Sequence, residues 1–425
     1  MLHVAVVGGG PAGLAAATAI AQAGVEVTLL ERAPGRLRPC AGLVVSTALA
    51  ELGAPEFLMD RRIDEIAVRS PSDRLAYLPL NGPDVCAIDW SMLRDFMRER
   101  ARQAGVRFVT GTFNRFRHGE GDYPIVEFSQ GDHLERLPAD IVVGADGACS
   151  RVARALGLES LPLGVAYQER FSGGSWRRDD SPEAVFSRKV SPDFYGYWLP
   201  QGEHAVAGVM TRLATGKRVW SMLDELKRRL GGRLDSWDSE GREAWTFPVA
   251  MRSRLACGRV LLVGDAGGLA APVTADGLYF ALASGRMAAE TILRHRNFPT
   301  PERLSEYEST FRNRYREALW AQERIESTFF MSDRRREALS ELAWDPAIRR
   351  ACAIAYLTKR PASSMGLRVR CHARLGAAIL RSAIDGRRRA PRRAVEFAPK
   401  ENYLDLALRT PTGPLTLGEP AGRDL

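Results

Sequence analysis

His3-Val4-Ala5-Val6-Val7-Gly8-Gly9-Gly10-Pro11-Ala12-Gly13-Leu14 compresses a strand, a glycine turn and a helix start into twelve residues. Residues 3–7 form a short run rich in β-branched valine, and Val4 to Val7 read as a buried strand. Gly8 to Gly13 fit G-x-G-x-x-G. Leu14 to Ala23 is alanine-rich and suits a helix, ended by Gly24. Val25 to Leu30 reads as a second strand with Glu31 at its end. Gly8 permits the tight turn, Gly10 lets the backbone approach a pyrophosphate, and Gly13 lets helix and strand pack closely. The first helical turn, at Ala12, faces the anion with unpaired N–H groups. Glu31 stands 18 residues after Gly13, where an acid can bind a ribose hydroxyl pair, and Arg32 beside it joins this set. A glycine-rich turn alone would be weak evidence. Strand, glycines, helix, strand and terminal acid together predict a dinucleotide-binding unit.

Two later segments extend the reading. Arg259 to Val263 is a buried strand that runs into Gly264-Asp265, followed by Asp276-Gly277-Leu278 and a helix from Tyr279 to Arg294. An acid at a strand end can hold the hydroxyls of an extended dinucleotide. A helix N-terminus at Gly277-Leu278 can stabilise negative charge on a reduced ring. Ile141-Val142-Val143-Gly144-Ala145-Asp146-Gly147 is a third strand-to-turn element. No second G-x-G-x-x-G unit occurs.

The chain has 425 residues, 45% hydrophobic and 26% charged. At roughly 100–200 residues per domain, two or three units are expected. The six cysteines (40, 86, 149, 257, 352 and 371) form no C-x-x-C pair. They read as reduced thiols, and neither a metal site nor a disulfide scaffold is expected. There is no run of 18 apolar residues, and the N-terminal apolar stretch is cut by glycines, unlike a signal peptide. A cytoplasmic protein is expected. The net charge is +9, and residues 361–425 hold 12 basic and 6 acidic side chains, so the excess is local. Nucleic acid is not expected as a partner. Met365 to Ile384 mixes apolar and arginine positions before Arg387-Arg388-Arg389, which suggests peripheral contact with the inner face of a membrane. The alternative is a core-packing helix with a solvated tail.

The three strand-turn segments resemble the FAD-dependent oxidoreductases of the hydroxylase type. There, Asp146-Gly147 is implied to serve the pyrophosphate region and passage of a pyridine nucleotide. Arg38-Pro39-Cys40-Ala41-Gly42-Leu43, Ser191 to Pro200, and Gly264-Asp265-Ala266-Gly267-Gly268 through Tyr279 resemble motifs of the geranylgeranyl reductase family. Thr110 to Phe113, Pro192 to Gly196 and Ser332 to Ala338 are similar to its chlorophyll and bacteriochlorophyll branch. The resemblance implies FAD as cofactor, NADPH as electron donor, and a prenylated small molecule or lipid as substrate. It places Cys40 and Ala41 beside the flavin, and Cys40, Tyr195 and Tyr197 at the reacting face. There are departures. The family tryptophan is Tyr197 here, its phenylalanine is Leu199, and the flavin-contacting arginine aligns with Trp90, with Arg94 one turn on.

The resemblance implies reduction of isolated prenyl double bonds in a geranylgeranyl chain, needing a long apolar tunnel lined from the strands between 160 and 250. The alternatives are an aromatic-ring monooxygenase on the same scaffold and a non-catalytic FAD-binding protein. A flavin halogenase needs an early catalytic lysine, but the five lysines stand at 189, 217, 227, 359 and 400. The expected fold is α/β: a Rossmann-like FAD-binding domain (1–60, 85–160 and 252–300), an antiparallel-sheet substrate domain (61–84 and 161–251), a helical region (301–384) and a basic tail (385–425). Glu302 to Ile325 and Arg334 to Tyr356 read as helices.

Overall fold

A computed structural model describes residues 2–35, 39–80, 85–119, 123–174, 180–213, 219–274 and 276–360, with Gly366, 369–371 and 373–374. Arg38, most of 365–384 and the tail beyond lie outside the described residues. No helix among the described residues is long and apolar enough to cross a membrane.

The apolar runs of the sequence become the centre of a six-stranded sheet. Its order is Ala256–Cys257, Val260–Leu262, Ile141–Gly144, His3–Val7, Glu26–Glu31, Arg107–Thr110. Five strands are parallel, and Ala256–Cys257 alone runs antiparallel to its neighbour. Parallel strands carry helices on their faces and are therefore apolar throughout. Val4, Val6, Ile141, Val142, Val143, Leu261 and Leu262 accordingly have no exposed surface. The helix Pro11–Gln22 packs on one face with Gly277–Arg294 beside it, and their small residues bring the two backbones close.

The second sheet has seven strands in the order Asp238–Pro248, Leu163–Ser172, His204–Arg212, Gly196–Pro200, Glu183–Val185, Glu65–Arg69, Leu75–Pro79. It is antiparallel except where Glu183–Val185 meets Glu65–Arg69 in parallel. That exception follows from the chain path, because the 65–79 hairpin and the 183–212 strands arrive from separate excursions. Two small three-stranded sheets complete the β-structure of the described residues: Thr112–His118, Pro124–Gln130 and His133–Pro138, and Leu43–Val45, Val85–Ile88 and Met59–Arg62.

The helical region is more broken than its periodicity suggests. Pro301–Leu304 and Glu306–Phe329 replace one helix, and Asp333–Leu342 and Pro346–Thr358 replace the other. Pro346 lacks an N–H, and the Asp345 carboxylate accepts from the backbone of Ala347 and Ile348, so a new helix starts there. Arg370 and Arg374, read as part of a lipid-facing segment, both donate to Asp345.

Arg336 locks this region onto the second sheet. It is fully buried and donates to the carbonyls of Ser191, Pro192 and Phe330 at 2.7–3.0 Å. Burial pulls its guanidinium down to about 10.

Candidate active site

The glycine turn is built as its spacing requires. Gly8 has φ +113°, a backbone few other residues adopt. A Cβ on Gly13 would lie 1.9 Å from the Gly8 carbonyl oxygen, so this position serves packing and does not line the groove. Gly10 is different: nothing lies within 4 Å of where its Cβ would be. Gly10 caps the helix Pro11–Gln22 without any side-chain bond, leaving the first-turn N–H groups open. The Glu31 carboxylate accepts from Gly9 N at 2.7 Å and Ala33 N at 2.9 Å, binding the two strand-end loops together. Gly8, Gly10, Ala12, Glu31 and Arg32 all line one cavity.

Asp146 and Gly147 line the same cavity, but the Asp146 carboxylate is engaged locally. It accepts from Ser150 Oγ at 2.6 Å, Arg151 N at 2.7 Å and Val152 N at 3.1 Å. Burial raises its pKa in spite of these bonds. Gly264 has φ +55° and packs against Ala12, so it supports the groove from behind. Asp265, Gly277 and Leu278 reach the cavity, with Asp265 Oδ1 3.8 Å from the Cβ position of Gly277.

Pro39 to Gly42 form the wall between the two sheets. Gln201 Nε2 donates to the Ala41 carbonyl at 2.7 Å, and Ile88 N donates to Gly42 O at 2.8 Å. Within this loop Gly42 N donates to Cys40 Sγ at 3.4 Å. Tyr195, just before the strand Gly196–Pro200, and Tyr197, on it, line the cavity with Cys40, Ala41 and Leu199. Tyr197 lies against Gly208, where a Cβ would sit 2.3 Å from the ring. Both phenols donate to protein acceptors, Tyr197 to Gln168 Oε1 at 2.7 Å and Tyr195 to Thr274 O at 3.2 Å. Burial raises both phenol pKa values, and neighbouring Cys40 adds to the effect at Tyr197. Their rings therefore wall the cavity while their protons are held elsewhere. Trp90 and Arg94 both line the nucleotide side, and Arg94 pairs with Asp95 at 2.8 Å.

The cavity occupies about 1070 Å³ and continues past the tyrosines into an apolar chamber. Ile66, Leu78 and Phe186 line it from the second sheet, and Ile325, Leu339, Ile348 and Tyr356 from the C-terminal helices. The reading of a tunnel lined by strands missed this helical wall. Its signal was present in Ile348, Cys352 and Tyr356, spaced four apart on one helix face and lining the cavity.

The residues fit an extended dinucleotide. An open cradle at Gly10, uncapped N–H groups, an acid at the second strand end and a second helix start at Gly277 lie along one groove. Comparison with known proteins identifies it. The family model described as "FAD binding domain" matches residues 1–320. The chain is 31% identical to a geranylgeranyl diphosphate reductase of Synechocystis sp., over 84% of this chain and 93% of that one. It is equally similar to the enzyme of that name from Rhodobacter capsulatus, over 84% and 91%. Among solved structures, a geranylgeranyl bacteriochlorophyll reductase-like protein from Thermoplasma acidophilum superposes with a TM-score of 0.74 at 20% identity. It covers 91% of this chain and 99% of that one, and so shares the fold. With this groove, and with relatives matched over most of its length, the chain belongs to the geranylgeranyl reductase family of FAD-dependent oxidoreductases.

Proposed function

We propose that the protein reduces isolated double bonds of a geranylgeranyl chain carried on a (bacterio)chlorophyllide or a diphosphate, with NADPH as electron donor. One observation carries this reading: the nucleotide groove and an apolar chamber form one continuous cavity, larger than most single-ligand pockets. Bound FAD supplies hydride-transfer chemistry. The chain's own residues do the rest. Phe186, Ile325, Leu339 and Ile348 exclude water and align the chain, and Cys40 holds a proton beside the reacting carbon. The names of the relatives support the prenyl class, since the Synechocystis and Rhodobacter proteins are called geranylgeranyl diphosphate reductases.

The test is an anaerobic incubation of the FAD-loaded protein with NADPH and geranylgeranyl diphosphate, read by mass spectrometry. A gain of two hydrogens per reduced bond is expected. Product that forms only with stoichiometric oxygen uptake would replace this reading with a monooxygenase. NADPH oxidation without any product would remove the substrate assignment. The proposal includes peripheral contact with anionic lipid through the basic C-terminal segment, because a prenyl chain partitions into bilayers. Flotation with anionic vesicles at low salt, with and without residues after Gly386, tests that part, and a full chain that stays unbound rejects it.

A further inference from the structure

Lys359 follows the helix Pro346–Thr358 in a left-handed backbone conformation, φ +52°, which a lysine holds only where its surroundings demand it. Its side chain is 2% exposed. The ammonium lies 2.5 Å from Asp276 Oδ2 and over the rings of Tyr356 and Tyr279, at 4.2 and 5.1 Å. It makes no aligned hydrogen bond with any described residue, so its contacts are one anion and two aromatic faces. The other Asp276 oxygen accepts from Tyr279 N and caps the helix Gly277–Arg294. Asp276 itself lines the cavity beside Gly277 and Leu278.

This arrangement resolves a conflict of charge. A helix N-terminus carries the equivalent of about half a positive charge, which favours the negative charge a flavin gains on reduction. A carboxylate at the cap carries a full negative charge and reverses that field toward the groove. The buried ammonium cancels the carboxylate and leaves the helix field in force.

We propose that Lys359 is a positioning residue for the flavin chemistry: by neutralising Asp276 it keeps the Gly277 helix start electropositive toward reduced FAD. The inference rests on FAD lying in this groove, not on the identity of the acceptor.

The test compares the two-electron midpoint potentials of FAD-loaded wild type, Lys359→Met, Asp276→Asn and the double variant, without substrate. Lys359→Met is expected to lower the potential and Asp276→Asn to raise it. Each shift should equal at least a tenfold change in the reduced-to-oxidised ratio, about 30 mV for a two-electron couple. The double variant should return close to wild type. A merely structural tie between the two helices predicts shifts of the same sign, or none, in the two single variants, and either result overturns the proposal. Asp276→Asn retains a capping side chain. If Lys359→Met fails to fold, an unchanged or lowered potential in Asp276→Asn is sufficient to overturn it. An absence of prenyl reduction would leave these potentials readable, so the two readings fail separately.

Discussion

Glu31 serves two structures at once. Its oxygens hold Gly9 and Ala33, and the same carboxylate faces the groove where a ribose would lie. Glu31→Ala should weaken FAD binding by about 1.5–3 kcal/mol, the range for a hydrogen bond to a charged group. Flavin fluorescence titration against wild type measures this. Cys40 offers the contrasting case. The phenols beside it donate to Gln168 and Thr274, whereas the thiol sits in the loop that joins the two halves of the cavity. Cys40→Ser should leave flavin reduction by NADPH unchanged and lower double-bond reduction by tenfold or more, since general acid help is typically worth ~10²–10⁴-fold. Tyr197→Phe is the control and should stay within a few-fold of wild type in stopped-flow assays of both half-reactions. At this scale the sequence was legible where chemistry needs a particular residue type at a fixed spacing. Gly8, Gly10 and Glu31 belong to that class. It was silent on where hydroxyl protons go, because Gln168 and Thr274 reach the tyrosines only through tertiary packing.

Among the elements, the C-terminal helices form one wall of the chamber. Ala355, on the helix Pro346–Thr358, faces the cavity. Ala355→Phe should shorten the chamber, so that turnover of a twenty-carbon chain falls at least tenfold while a ten-carbon chain is still reduced. Competition between the two substrates in one reaction measures the ratio. Arg336, buried on the helix Asp333–Leu342, ties that helix to the backbone at Ser191 and Pro192. Arg336→Met would leave the buried carbonyls of Ser191, Pro192 and Phe330 without their donor. A loss on the order of 3 kcal/mol is expected, measured by urea denaturation. Hydrogen exchange should quicken in Asp333–Leu342 well before it does in the strand His3–Val7. The helical wall escaped the sequence reading for a physical reason. An apolar stripe at helical spacing looks the same whether it packs on a core or lines a cavity, and only the partner surface distinguishes the two. Helix breaks were legible in principle, since Asp345-Pro346 is a start signal, but the pattern of apolar residues runs through it.

The response of the whole molecule to acid is set by individual carboxylates, and Glu225 is one that gives up its ion pairs late. Bonds from Arg228 and Arg229 hold the Glu225 carboxyl down at about 2. The folded state binds this proton less tightly than the unfolded chain does. The contribution of Glu225 is therefore present above the ordinary carboxylate pKa and lost as pH falls toward about 2. Urea midpoints of Glu225→Gln and wild type should differ at pH 6 and converge near pH 2. The sequence indicated two sheets and a helical cap, because strand runs and turn signals are local. It did not show that Glu65–Arg69 pairs in parallel with Glu183–Val185, since that register depends on contacts far apart in the chain. The position of the chamber wall along the chain bears on the order of assembly. Synthesis as far as Arg294 delivers the glycine turn, Glu31, Asp265 and Gly277, while Ile325 to Tyr356 have yet to be made. The residues named for the cofactor groove are thus made before those that roof the compartment for the second ligand. Domains fold as units in the order they are translated. The helix Glu306–Phe329, whose Tyr307, Phe311 and Tyr315 are buried in the core under that groove, has to be made before this unit can be whole, and Lys359, the partner of Asp276, is made later still.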